Sequence, residues 1–320
     1  MKKILGAVGW LVLFSALGAA AMLGLTMLLL HHRLGLVFVP RIAATGAVPG
    51  IMAWVIAMCF AALPGARRRP GTAWPFGLAQ GVWAMAGTLL LMLCGAILPY
   101  MAAVYLMLLR ILHHLPAHLP NRHDTSLLLA SLLTSELMAA LWLSWYLRRQ
   151  GKAVLEGGSA QGIAWCPATP RAYAVAAFTA LAVLVLAGLE LYLIPPDARK
   201  LHDLALGQLF QGPPEIAFMA AVVVVILAPL IEEVLFRGIA FAGIAVRLGP
   251  AWAVVITTLI FTALHAPEKI LYLPGFADVA AVALASCALR LRYRSIKPGI
   301  VMHFLYNFGM LALPALSSGH

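Results

Sequence analysis

At 320 residues, of which 63% are hydrophobic and 10% charged, with a mean hydropathy of +0.96, the chain lies far outside the range of soluble globular domains. Its formal charge of +11 comes without a basic arm or nucleic-acid motif, which argues against a nucleic-acid partner. Four cysteines, Cys59, Cys94, Cys166 and Cys287, include no Cys-x-x-Cys pair and argue against a disulfide framework or a thiolate metal centre.

Apolar runs of about 18 residues or more each suffice to cross the hydrocarbon core as a helix. They are read at 4–30, 47–64, 78–98 (to 112 if Pro99 only kinks the helix), 126–147, 172–194, 216–247, 251–272, 274–291 and 296–313. The expected fold class is all-α, a polytopic transmembrane helical bundle of about 8–9 spans. The first run starts after Lys2 and Lys3 and carries small residues at Ala19, Ala20 and Ala21, like a signal peptide, but continues apolar to Leu30. It reads as a retained signal anchor.

The clearest break in composition is the polar stretch 148–170, with Glu156-Gly157-Gly158-Ser159, which reads as a flexible cytoplasmic linker. It divides an N-terminal transmembrane extension, 1–147, from a second membrane core, 171–314. With the N-terminus in the cytoplasm, fourteen of the 22 lysines and arginines fall on the cytoplasmic side, including Lys2, Arg67, Arg148, Arg290 and Lys297; seven fall opposite, among them Arg33 and Lys269. That bias favours this orientation and points to an integral protein of the bacterial inner membrane.

In the first half, Glu136 is the one acid inside a span. Beside Thr134 and Ser135 and without a companion motif, it reads as an interhelical hydrogen-bonding group. His31, His32, His113, His114, His118 and His123 gather in connections on the far side, where interfacial anchoring is favoured over metal binding.

The second half carries the chemistry. Ile231-Glu232-Glu233-Val234-Leu235-Phe236-Arg237-Gly238 sets two carboxylates and a guanidinium in the middle of an apolar run, and charge at such depth usually marks a functional site. Glu233 and Arg237, four apart on a helix, share a face and can form an ion pair that lowers the cost of burying both. Glu232, about 100° further round, is left to take a proton from water. A purely structural ion-pair cluster is the alternative reading. Phe261 to His265 and His303 to Asn307 repeat the four-residue spacing in later apolar runs. His265 alone can be a packing histidine, whereas His303 and Asn307 share a face from which two donors can stabilise an oxyanion. Asp278, at a helix start, reads as a solvated interfacial acid.

The set Glu-Glu-x-x-x-Arg, Phe-x-x-x-His and His-x-x-x-Asn, in that order over residues 171–314, resembles the CPBP family of CAAX proteases and bacteriocin-processing enzymes, the Abi or Rce1-like intramembrane proteases. Gly238 after Arg237 and the basic turn Arg292-Tyr293-Arg294 before His303 add to the resemblance. It implies an intramembrane endopeptidase in which Glu232 activates water with help from His265. His303 and Asn307 would bind the oxyanion, and Glu233 and Arg237 would shape the site. It further implies a membrane-associated protein or peptide substrate, such as a C-terminal tail or a prenylated one.

Zinc is the cofactor to weigh, since Glu and His can ligate it, but His-Glu-x-x-His is absent and Asn is a poor zinc ligand. A metal-independent glutamic mechanism without an organic cofactor is favoured. Two other classes stay open. One is a non-catalytic scaffold or bacteriocin-immunity-type factor using the same cavity. The other is a proton-coupled transporter, which should show repeated halves, and 1–147 and 171–314 show no convincing repeat.

Overall fold

A computed structural model describes residues 77–317 apart from 114, 117, 119, 120, 122, 157–161 and 198–203. The spans read at 4–30 and 47–64, the signal anchor, Cys59, His31, His32 and His114 lie outside the described residues. What is described is all-α, with no strand among these residues. The elements are α1 (Leu78–Leu112), α2 (Thr125–Arg148), the short α3 (Lys152–Glu156), α4 (Pro170–Leu193), α5 (Ala205–Gln211), α6 (Pro214–Leu248), α7 (Pro250–Leu264), the short α8 (Ala266–Lys269), α9 (Gly275–Tyr293) and α10 (Lys297–Ser317). By length and composition α1, α2, α4 and α6 can cross a bilayer, and α7 is a shorter apolar helix.

Local chemistry sets the ends. Asp124 Oδ1 accepts from the backbone N–H of Ser126 at 2.9 Å and of Leu127 at 3.3 Å, capping α2. Thr169 caps α4, and Pro170 opens it where its missing N–H costs nothing. Gly249, at φ +85°, makes the corner between α6 and α7. Pro99 does not divide α1, which runs through it as one helix.

Two expectations are corrected. The run 251–272 is not one helix: α7 stops at Leu264, because Pro267 brings no N–H and its ring clashes with the carbonyl four residues back. Asp278 is not solvated; it is 7% exposed in the first turn of α9.

The central helix is α6. It packs against α1, α2, α7, α9 and α10, so most groups that meet its polar residues come from different helices. Close approach is set by glycines. At the α1–α6 crossing, a Cβ on Gly81 would meet Gly243 Cα at 3.1 Å, and at the α1–α2 crossing a Cβ on Gly95 would sit 2.6 Å from Ser135 Cα. Thr134 Oγ1 donates across that second crossing to Gly95 O at 2.5 Å.

The second part of the polar stretch after α2 is docked. Ile163 and Ala164 are buried, Ile296 N–H donates to Ala164 O at 3.0 Å, and Ser295 Oγ donates to Cys166 O at 2.7 Å. Arg290, itself buried, donates to Gly162 O at 2.7 Å, and its guanidinium lies 4.3 Å from the Phe241 ring. A strap from outside the core is thus laid beneath Gly238, whose Cβ position is 3.0 Å from Ile163 Cγ2.

Within α6 the backbone is not uniformly α-helical. Val223–Leu227 and Glu233–Ala240 are π-helical, a wider turn frequently found at functional sites.

Candidate active site

The heights of the polar residues follow from the corner at Gly249. Glu232 lies 16 residues before Leu248 on α6, and His265 lies 15 residues after Pro250, just past the end of α7. The two therefore come level, although their runs differ in length.

Glu233 is fully buried, and its Oε1 takes three neighbours from three helices. Arg237 Nη1 lies 3.2 Å away, His303 Nδ1 3.1 Å, and Ser286 Oγ donates at 3.1 Å. Arg237, 1% exposed, also rests on the face of Phe261 at 4.3 Å. A carboxylate so engaged is unavailable for proton transfer to substrate. Glu232 is different: its side chain is 22% exposed, and the one nitrogen in ion-pair range of it among the described residues is His303 Nε2, at 3.7 Å. The helical offset anticipated from the sequence therefore produces one anchored carboxylate and one open one.

His303 stands between them. With Nδ1 on Glu233, it turns Nε2 towards Glu232, which makes it a link between the two acids as well as a donor on its own face.

His265 is part-buried at the end of α7. Its Nδ1 lies 2.8 Å from Phe261 O, an atom that can only accept, so Nδ1 carries the proton and Nε2 of the neutral ring presents a lone pair. Its ring meets the charged cluster through Phe261, whose centroid is 4.5 Å from His265, 6.1 Å from His303 and 5.1 Å from Phe236.

Asn307 has a further attachment. The N–H of Ala228 reaches back five residues to Val223 O, as a π turn requires, and the next residue, Pro229, has no N–H to give. Val224 O is left open, and Asn307 Nδ2 donates to it at 2.9 Å. One amide hydrogen is thereby used to hold α10 against α6, leaving one for other use.

The structure thus joins Glu232, Glu233, Arg237 and His303 directly, brings His265 to them through a shared aromatic, and ties Asn307 to the backbone of the helix that carries the acids. Two residues of the site escaped the sequence reading. Ser286 is a lone hydroxyl in the apolar centre of α9. Gly299 lies four residues before His303 on the same face, and a Cβ there would be 3.0 Å from Glu233 Oε2. The signals were a polar residue in an apolar helix and a glycine at helical spacing from a motif histidine. Among the described residues no three His, Cys, Asp or Glu side chains are grouped to hold a metal ion.

Residues 214–309 match the family model described as type II CAAX prenyl endopeptidase Rce1-like. The match begins in the first turn of α6 and ends in α10, so it takes in all six motif residues. No curated protein and no solved structure matches the chain.

Proposed function

From the match of residues 214–309 to the Rce1-like model, a protease family, we propose that this integral membrane protein is a glutamic endopeptidase that cuts a membrane-associated protein or peptide. The observation that carries the proposal is the asymmetry of the acid pair: one carboxylate is engaged by three groups while its neighbour stays partly exposed, with His303 Nε2 3.7 Å away.

In this reading water loses a proton to Glu232 as its oxygen attacks the scissile carbonyl, and the carbonyl electron pair moves onto oxygen. His265 Nε2 orients the water. The oxyanion is met by the free amide hydrogen of Asn307, with His303 beside it. On collapse the C–N bond breaks, its electron pair stays on nitrogen, and the proton held by Glu232 goes to the leaving amine. Glu233 and Arg237 hold the ring of His303 in place. A bound metal ion is not part of this scheme. The family's description makes a prenylated C-terminal tail the first substrate to try, and the distribution of basic residues supports a cytoplasmic N-terminus.

The test is cleavage of a fluorogenic peptide ending in a prenylated cysteine plus three residues, by purified protein in lipid. Wild type is expected to cut it, with no effect of a chelator. Glu232→Ala and His265→Ala are expected to be inactive though normally expressed. Cutting by Glu232→Ala at the wild-type rate would sink the role given to Glu232. Loss of activity with chelator and its recovery with zinc would replace the glutamic scheme by a metallopeptidase one.

A further inference from the structure

The charges of the described residues are sorted by end. Where α2, α6 and α9 finish and α4 and α10 begin, the bases include Arg148, Arg171, Arg247, Arg292, Arg294 and Lys297, and the one acid is Glu156. At the opposite end Asp124, Glu190, Asp197, Glu215 and Glu268 outnumber Arg110 and Lys269.

Within the basic end, the corner between α9 and α10 has a defined shape. Arg292, Arg294 and Lys297 follow one another around it, and none of the three side chains is in an ion pair among the described residues. The strap holds the corner: Cys166 Sγ donates to Arg294 O at 2.9 Å, and Ser295 Oγ donates to Cys166 O while accepting from Lys297 N–H at 3.2 Å. This brings Trp165, 40% exposed, under the Lys297 ammonium, which lies 5.4 Å from the ring. Three cations without a counter-charge, beside an exposed indole, suit an anion attached to an apolar body.

The helices that start here supply the place for that body. On α4, Phe178 lies seven residues beyond the exposed Arg171, two turns along the same face and about 10 Å away, and is 73% exposed. On α10, Phe308 lies eleven residues beyond Lys297, three turns along the same face, and is 61% exposed. A soluble anion or an acidic peptide would use the corner and leave these apolar faces bare, whereas a phospholipid uses both. We propose that the corner Arg292–Lys297, with Trp165, seats the phosphate of an anionic phospholipid. Guanidinium forks match phosphate oxygens, indoles sit at headgroup level, and the added cation of a zwitterionic headgroup is repelled by the three bases. A seated headgroup also clamps the strap, because Cys166 is tied to this corner and Ile163, three residues earlier, lies beneath Gly238 of the helix that carries the acids. Neither the seat nor the clamp depends on the hydrolase reading.

The test uses the full-length protein in phosphatidylcholine bicelles, doped with phosphatidylglycerol or phosphatidylcholine brominated high in the acyl chains. Fluorescence quenching is compared with and without Trp165→Phe, and the difference is the signal of Trp165. Half-quenching is expected at an about fivefold lower fraction of phosphatidylglycerol than of phosphatidylcholine, roughly what one basic residue is worth at an anionic surface. In Arg292→Gln/Arg294→Gln/Lys297→Gln the two curves should coincide, and high salt should bring them together in the unaltered protein, which tests the seat without any substitution there. Equal quenching by the two lipids in the unaltered protein, or a preference that survives salt, overturns the seat; so does loss of quenching by both lipids when an acidic peptide is added, which would give the corner to a protein partner. Phosphatidylglycerol should also slow proteolysis of segment 162–168 in the unaltered protein and not in the triple variant, and cleavage indifferent to lipid overturns the clamp.

Discussion

Gly299→Ala sets two effects of opposite sign against each other. Replacing glycine by alanine in a helix interior is worth at most about 1 kcal/mol of added stability, and less at Gly299, which lies in the first turn of α10. Against this, the new methyl would lie 3.0 Å from Glu233 Oε2 and 3.5 Å from Ser286 Oγ. The carboxylate has no room to retreat, since its other oxygen is held at 3.1 to 3.2 Å by Arg237, His303 and Ser286. Moving it weakens at least one hydrogen bond to a charged group, worth about 1.5–3 kcal/mol. The loss exceeds the gain by about 1–2 kcal/mol, and the displaced group is the one that aims His303 at Glu232. We expect Gly299→Ala to lower the unfolding temperature in lipid and to cut kcat roughly tenfold, at about 1.4 kcal/mol per decade. Adding Ser286→Ala should cost less than the sum of the two single changes, because the carboxylate can then turn. If Gly299→Ala cleaves within twofold of wild type and unfolds no earlier, Glu233 is not rigidly held and the division between the two acids loses its basis.

Two further outcomes follow from packing outside the charged cluster. Gly95→Leu should destabilise by at least about 1–3 kcal/mol, since its Cβ would press on the backbone of Ser135 rather than on a movable side chain; thermal unfolding reads this, and an unchanged transition would mean that α1 and α2 do not meet as described. Arg290→Met leaves the Gly162 and Ile163 carbonyls without their donor at an expected cost of about 1–3 kcal/mol, and limited proteolysis should then cut the segment 162–168 faster. Wild-type resistance there would show that the strap is held by Ala164 and Cys166 alone.

Much of the architecture was legible because a membrane simplifies the code. Long apolar runs become helices, and charge inside them is rare enough to stand out, so Glu232, Glu233 and Arg237 could be singled out along with their relative angle. What stayed hidden depends on shape between helices. Helical periodicity carries no trace of which carbonyl Pro229 leaves open, so the anchoring of Asn307 on Val224 could not be foreseen. Asp278 read as solvated because its position in the chain is terminal, whereas the packing around the start of α9 buries it. The strap at 162–166 looked like linker because its glycine- and serine-rich beginning is polar, yet Ile163 fits beneath a glycine 75 residues further on, and only the fold brings the two together. The end of α7 was legible in principle, since Pro267 was there to be weighed against the apolar run around it.

The wide turn at Val223–Leu227 places a constraint of an unusual kind on this part of the gene. If one residue were deleted there, the helix could return to the tighter pitch, and the carbonyl left open by Pro229 would become that of Val225, about 100° away from Asn307. Exchange of one apolar residue for another in the segment would leave the alignment intact. Selection on these five positions should therefore be lenient about which residues occur and strict about how many: frequent substitution, and no insertion or deletion.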